Sequence, residues 1–381
     1  MTTARHGLST RSIHAGEAPD PATGAHGVPI YQNTTYSFRS YDHVEAWRCG
    51  QAPHFVYQRE GNPTVRCFEL KMADLEGAEE AAAGATGMAV IAATLLGVTA
   101  GGGHLVASAD LYEVASGLVC NDLPAAGAAV TTVDITDLAA VEAACTEETR
   151  AIYCETFSNP GLKVADISAL AEIAHRHDAL LIVDNTFLSP ALMRPLEHGA
   201  DLVIHSATKY LAGHGQAMGG VVAGPRELVA PIAGRLSRLG GAMNPFTAWL
   251  LLTGMKTLPL RMDRHSINAA RIADVLVSHP AVKRVAFPGL SGHPGHGVAR
   301  GLCGDQFGGL LSFTVQGGQE AVRAFINALE LCTIAVSLGE CGTLVWPYPD
   351  GLIRVAVGLE DVEDLERDVA RALGRACSAG I

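Results

Sequence analysis

The chain has 381 residues, 48% of them hydrophobic and 17% charged, which supplies a sizeable core and argues against disorder. At that length two domains, or one large domain with an appendage, are expected. Lys and Arg number 27 against 39 Asp and Glu, a net charge of -12 that repels phosphate backbones and anionic membranes, so an anionic ligand needs a local pocket.

In chain order, residues 1–55 show no sustained period and read as an extended arm. Met1–Gly24 is polar without an apolar h-region, so no secretory signal is expected in it, and the longest nearly apolar run, Met88–Ala100, is too short to span a bilayer. From residue 56 to 244, short β-branched runs alternate with helical stretches. The expected strands are His104–Ala107, Ala129–Val133, Ala151–Glu155, Leu180–Asp184, Leu202–His205 and Gly220–Ala223. The expected helices include Met88–Val98 and Ile167–Arg176, the latter capped by Asp166. Continuous apolar strands separated by helices predict an α/β fold with a mostly parallel sheet covered on both faces. Residues 245–381 change pattern. A long helical stretch, Pro245–Ser278, precedes strand-like Gly309–Val315, a helix near Gln319–Glu330 and strand-like Ile353–Val357, which predicts a smaller α+β domain. Nine cysteines stand singly with no C-x-x-C, which with the absent leader predicts reduced thiols in a cytoplasmic protein.

Several generic motifs fail on context. Gly213-His-Gly215-Gln-Ala-Met-Gly219 has the wrong spacing for a dinucleotide fingerprint and precedes a strand. Ser206-Ala-Thr208-Lys209 fits S-x-x-K, but the companion motifs of the penicillin-recognising enzymes are absent. His293 and His296 lack a Cys or carboxylate partner, so no metal site is expected.

A second set of residues makes sense together. Leu180–Asp184 is a buried strand ending in an acid, and Leu202–His205 is another running into Ser206, Thr208 and Lys209. Ligands of open parallel sheets collect at the carboxyl ends of strands, so Asp184 and Lys209 can share one crevice. A desolvated lysine suits Schiff-base chemistry, neighbouring hydroxyls suit a phosphate ester, and an acid can hold a pyridinium nitrogen. Gly84-Ala-Thr86-Gly87-Met88 opens a helix whose free N–H groups can cradle a phosphate. Each feature alone has a plain structural reading, as a cap, a turn or close packing; together they favour phosphate binding, and the lysine and acid form the partnership known in pyridoxal 5'-phosphate (PLP) sites.

These residues resemble the Cys/Met-metabolism PLP enzymes of fold type I, the γ-subfamily of cystathionine γ-synthase, cystathionine γ-lyase, methionine γ-lyase and O-acylhomoserine sulfhydrylase. The resemblance runs from Ser12-Ile-His-Ala-Gly16 to Arg354-Val-Ala-Val-Gly-Leu-Glu360. Its most specific match is Tyr57-Gln-Arg59-Glu-Gly-Asn62-Pro63-Thr64, followed by Glu155-Thr-Phe-Ser-Asn159-Pro160, Asp184-Asn-Thr186 and Ser206-Ala-Thr208-Lys209. It implies that Lys209 binds PLP covalently and shuttles protons, and that Asp184 pairs with the pyridine nitrogen. Gly87, Met88, Ser206 and Thr208 would bind the phosphate, joined by Tyr57 and Arg59 from the neighbouring subunit, which the arm 1–55 contacts. A homodimeric catalytic unit within a tetramer is thus implied. Tyr112 would stack on the ring and act as acid or base at the departing group. Arg354, with Ser337, would clamp the substrate α-carboxylate, and Asn159 would lie beside the ring hydroxyl. The implied activity is γ-elimination on an L-amino acid; γ-replacement is the alternative, β-elimination ranks third, and a PLP-binding paralogue without catalysis or a nicotinamide dehydrogenase fits less well.

Three departures stand out. Glu113-Val-Ala-Ser116 follows Tyr112 where the family has small residues and Thr, and Gln216 replaces a frequent Asp. After Ser337-Leu-Gly339 the chain reads Glu340-Cys-Gly342-Thr-Leu-Val-Trp346-Pro-Tyr348, with Gly342 in place of a frequent Glu and a further loop and helix missing. That shorter lid predicts a substrate other than cystathionine, with a smaller or non-sulphur leaving group; the alternative is that Trp346 and Tyr348 only cover a domain seam.

Overall fold

The computed structural model describes residues 6–379. Seven strands form the larger sheet: β1 (Glu80–Gly84), β2 (His104–Ser108), β3 (Ala129–Val133), β4 (Thr149–Glu155), β5 (Leu180–Asp184), β6 (Leu202–Ser206) and β7 (Gly220–Gly224). Their order is β1-β7-β6-β5-β4-β2-β3. The run from β3 to β6 is parallel, while β7 is antiparallel to both neighbours. Both faces are covered. Val90 and Leu95 of helix Gly87–Val98 and Leu236 of helix Arg226–Leu239 meet one face; Phe68 and Met72 of helix Pro63–Glu76 and Leu170 of helix Ile167–Arg176 meet the other. That double cover is why the parallel strands are continuously apolar.

The second sheet has the order β10-β11-β12-β9-β8, from β8 (Val282–Ala286), β9 (Leu310–Val315), β10 (Thr333–Ile334), β11 (Leu344–Pro347) and β12 (Leu352–Ala356). Apart from the β10–β11 pair it is antiparallel. Its apolar face, Leu311, Phe313, Ile353 and Val355, packs into the same core as the underside of the large sheet.

Two expectations need correction. The described part of the arm is not wholly extended: it carries helices Leu8–His14 and Tyr41–Arg48. The first packs on its own subunit, where Arg11 pairs with Asp74 at 2.7 Å and the buried Lys71 ammonium meets the Ser12 carbonyl at 2.6 Å. The second buries none of its residues. Residues 1–5 of that expected arm and the last two of the expected small domain lie outside the described residues. The stretch Pro245–Ser278 is two helices, Pro245–Met255 and Leu258–Ser278. Pro259 explains the break, because its ring would press on the carbonyl four residues back and it has no N–H to give.

Candidate active site

Strand register sets the site. Glu155 stands opposite Asp184 at the ends of β4 and β5, and Asp184 stands opposite Ile204, two residues before Ser206. The far end of β1 opens on the same edge, because β1 and β6 both pair antiparallel with β7. There helix Gly87–Val98 starts. Thr86 caps it by accepting the Ala89 N–H at 2.9 Å, which leaves the N–H groups of Gly87 and Met88 for an anion.

Glycine makes the approach possible. A Cβ on Gly87 would stand 2.9 Å from the Ser206 Cβ, and one on Gly220 would stand 2.4 Å from the Thr86 carbonyl oxygen. The helix start, Ser206 and Thr208 therefore close into one cradle, with the Thr208 hydroxyl bonded to Gly219 N at 3.1 Å.

Asp184 is half-buried. Its Oδ1 accepts both the Thr186 N–H at 3.0 Å and the Thr186 hydroxyl at 2.5 Å, so Oδ2 is left for another donor. The Thr186 hydroxyl oxygen in turn accepts the Ser206 N–H at 2.8 Å, tying the acid to the cradle. Burial raises the Asp184 pKa, and the two Thr186 bonds pull it back.

Lys209 follows in the turn after β6. Its Nζ donates to the Ser337 hydroxyl at 2.8 Å. Burial, and then the positive charge of Arg354, hold its pKa below the ordinary lysine range. The loop carrying Ser337 lies directly on the lysine backbone, since a Cβ on Gly339 (φ +79) would stand 2.7 Å from Tyr210 N. Ser337 itself has φ +90, a left-handed conformation that costs a non-glycine residue about 1–3 kcal/mol and persists only where its surroundings enforce it.

Arg354 lies on β12, 6% exposed. It donates to Ser337 O at 2.9 Å, Asn159 Oδ1 at 3.1 Å and the Tyr348 hydroxyl at 3.3 Å. Tyr348 thus lines the site, and Trp346 pairs with Arg354 in the β11–β12 register. Tyr112 is 44% exposed at the rim, with its backbone N–H on Glu155 Oε1 at 2.6 Å.

Tyr57 and Arg59 do not join this group within one chain. Arg59 donates to the Ser237 carbonyl at 3.1 Å, at the end of helix Arg226–Leu239, and its guanidinium lies 5.6 Å from the Tyr57 ring centroid. Sequence reasoning missed Glu155 and underused Thr186. For Glu155 the signal was available: like Asp184, it is an acid ending a buried apolar strand.

Free helix N–H groups, hydroxyls, an acid with one oxygen open and a half-buried lysine fit the phosphate, pyridine nitrogen and aldehyde of PLP. The fold and site are those of a PLP-dependent enzyme of fold type I. The model of the Cys/Met metabolism PLP-dependent enzyme family matches residues 9–374, and the chain belongs to that family. An L-methionine gamma-lyase from Fusobacterium nucleatum subsp. polymorphum is 40% identical, covering 98% of this chain and 99% of that protein. An O-succinylhomoserine sulfhydrylase from Pseudomonas aeruginosa is 42% identical over 96% of this chain and 95% of its own. The crystal structure of metB from Corynebacterium glutamicum superposes with a TM-score of 0.93 at 36% identity, over 98% of this chain and 99% of that one. A putative O-acetylhomoserine (thiol)-lyase from Campylobacter jejuni, which contains N'-pyridoxyl-lysine-5'-monophosphate, gives 0.92 at 30% identity, over 97% of this chain and all of its own. PLP is the cofactor. Among the described residues no helix is long and apolar enough to cross a membrane.

Proposed function

We propose that the protein catalyses γ-elimination from an L-amino acid carrying a leaving group on Cγ. The observation that carries this reading is the line Lys209–Ser337–Arg354: an amine 2.8 Å from a hydroxyl whose own residue's carbonyl accepts from a buried guanidinium at 2.9 Å. It sets a proton-transfer group beside a carboxylate clamp, the two functions that α-amino-acid chemistry needs.

Bound PLP supplies an electron sink for the charge left when Cα loses its proton. Asp184 Oδ2 would hold the pyridine nitrogen, and Gly87, Met88, Ser206 and Thr208 would hold the phosphate. Asn159 would stand by the ring hydroxyl. Arg354 receives the substrate carboxylate in a bidentate fork. Lys209, as a free amine, takes the proton from Cα, passes it on, and as a neutral amine again takes one from Cβ; burial and the charge of Arg354, which hold its pKa below the ordinary lysine range, favour the neutral base. Tyr112 gives a proton to the departing group. One water is consumed, and the products are a 2-oxo acid, ammonia and the protonated leaving group.

Tyr57 and Arg59, turned away from their own cradle, complete the phosphate site of a neighbouring subunit, so the working unit is a dimer within a tetramer. Residues 1–55 form the arm between subunits, 56–244 the PLP-binding domain and 245–381 the small domain. The location is cytoplasmic. We read the short Glu340–Gly351 segment as the device that shifts the substrate away from cystathionine. The alignment with the Fusobacterium enzyme spans 394 positions but takes in 98% of this chain's 381 residues, so about twenty of its positions face gaps somewhere along this chain.

A second reading, γ-replacement by a thiol on an activated homoserine, is favoured by the 42% identity to the sulfhydrylase. Product analysis decides. The PLP-loaded enzyme is given O-acetylhomoserine, cystathionine and methionine, each with and without cysteine or sulfide. Elimination predicts 2-oxobutyrate that persists when a thiol is present; a thioether or homocysteine in its place establishes replacement. Turnover of cystathionine at the rate of an ordinary family member would remove the proposal about the short segment.

A further inference from the structure

Glu155 has no part in the chemistry above, yet it ends β4 directly beside Asp184. It is 8% exposed. Oε1 accepts the Tyr112 N–H at 2.6 Å, while Oε2 is buried with no partner among the described residues. The Tyr153 hydroxyl, two residues back on the same strand face, is buried and unpartnered too. Two carboxylates at adjoining strand ends, Glu155 buried and Asp184 half-buried, repel each other when both are ionised, and a proton on one of them removes that repulsion.

Hydrogen bonding decides which one. Asp184 takes two donors on a single oxygen, a backbone N–H and a hydroxyl from Thr186, and the imidazole of His205 lies close enough to favour its charge. Glu155 accepts one backbone N–H, from Tyr112, with the Asn159 backbone N–H close by, and no hydroxyl. Its other charged neighbour, Asp110, is also an acid, tied to Lys163 at 2.7 Å. Burial first, and then the charge of Asp184, drive the Glu155 carboxyl well above the carboxylate range.

We infer that Glu155 is a positioning residue that works as a neutral carboxylic acid. Its Oε1 fixes the backbone of Tyr112 against the sheet, and its proton keeps the negative charge at these strand ends on Asp184 alone. The inference deepens the proposed function and rests on its roles for Tyr112 and Asp184. Tyr112 is largely exposed at the start of the short helix Glu113–Gly117, so this N–H bond is its tether to the strand ends. A second full negative charge beside Asp184 would compete for the donor that Asp184 is there to receive.

The test uses the PLP-loaded enzyme with Glu155→Gln and Glu155→Leu. Infrared difference spectra of wild type against E155Q at neutral pH should show a protonated-carboxyl carbonyl band that the variant lacks. E155Q keeps a neutral acceptor of the same shape, so kcat should stay within about threefold and the pH profile should not move. E155L leaves the Tyr112 N–H unpaired. Its kcat should fall about 10- to 100-fold while KM, set by Arg354, and PLP content change little. Absence of the infrared band, an E155Q as impaired as E155L, a shifted E155Q pH profile, or an E155Q that fails to fold would each overturn the inference. Should E155L fail to fold, the band and the E155Q profile decide without it. A wrong substrate assignment would leave the band unchanged, so the two readings fail separately.

Discussion

The cofactor half and the substrate half of the site are built in different ways. The cofactor half is made by the large sheet: strand register places Asp184, and bare glycines at 87 and 220 let a helix start press on Ser206. The substrate half is made by one loop and one strand of the small sheet. There Ser337 is held in a left-handed conformation, and Arg354 hangs on three side-chain or carbonyl partners. Backbone packing resists change, since a shift in one strand moves its neighbours. A loop on the rim can shorten without disturbing the sheet. The cofactor site can therefore stay fixed while the substrate end is retuned.

The largest break in that comparison should come from Lys209→Ala, which removes the proposed proton shuttle. Turnover should drop by about 10^4-fold, measured as 2-oxo acid release, while far-UV circular dichroism stays that of the wild type. Gly220→Ala comes next. A Cβ 2.4 Å from the Thr86 oxygen forces the helix start away from Ser206, and PLP retention on dialysis should weaken about tenfold or more. On the substrate side, Arg354→Lys keeps the charge but loses the fork. KM should rise roughly 30- to 100-fold with PLP binding intact.

The lysine environment gives a sharper, smaller signal. In the apoenzyme the folded pKa of Lys209 lies below 10.5, so below that folded value the fold carries a desolvated ammonium. The unfolded chain binds more protons across the window between the two values, and stability rises with pH through it. Lys209→Met should thus raise the melting temperature of the apoenzyme at neutral pH, and the gain should vanish as pH passes 10.5. The smallest effect is expected of Tyr348→Phe, which removes one bond to Arg354 and should cost about three- to tenfold in kcat/KM.

Much of the large sheet was legible. Ala129–Val133, Leu180–Asp184 and Ile167–Arg176 fall where the apolar runs and the Asp166 cap put them, with Asp166 Oδ1 accepting the Ala169 N–H at 3.1 Å. Strand β1 was not legible. Glu-Ala-Ala-Ala-Gly has helical propensity, and only pairing with the glycine-bounded β7 makes it a strand. The same holds for the edge strand β8, Val-Lys-Arg-Val-Ala, which has no pattern until β9 lies beside it. Among site residues, Tyr348 was visible only as an aromatic in a shortened lid; its bond to Arg354 belongs to the β11–β12 hairpin.

The sequence by itself determined the chemistry-bearing groups and their order along the chain. Continuous apolar strands ending in an acid or running into Ser-x-Thr-Lys can serve only at the carboxyl edge of a covered parallel sheet, and a Gly-rich turn into an apolar helix supplies the anion site. Tertiary structure alone decided how those groups are tuned. Whether Glu155 or Asp184 keeps its proton depends on two strand ends meeting side by side, and the depressed pKa of Lys209 depends on a loop more than a hundred residues away closing over it. Burial and proximity set both, and neither is a property of one position in the chain.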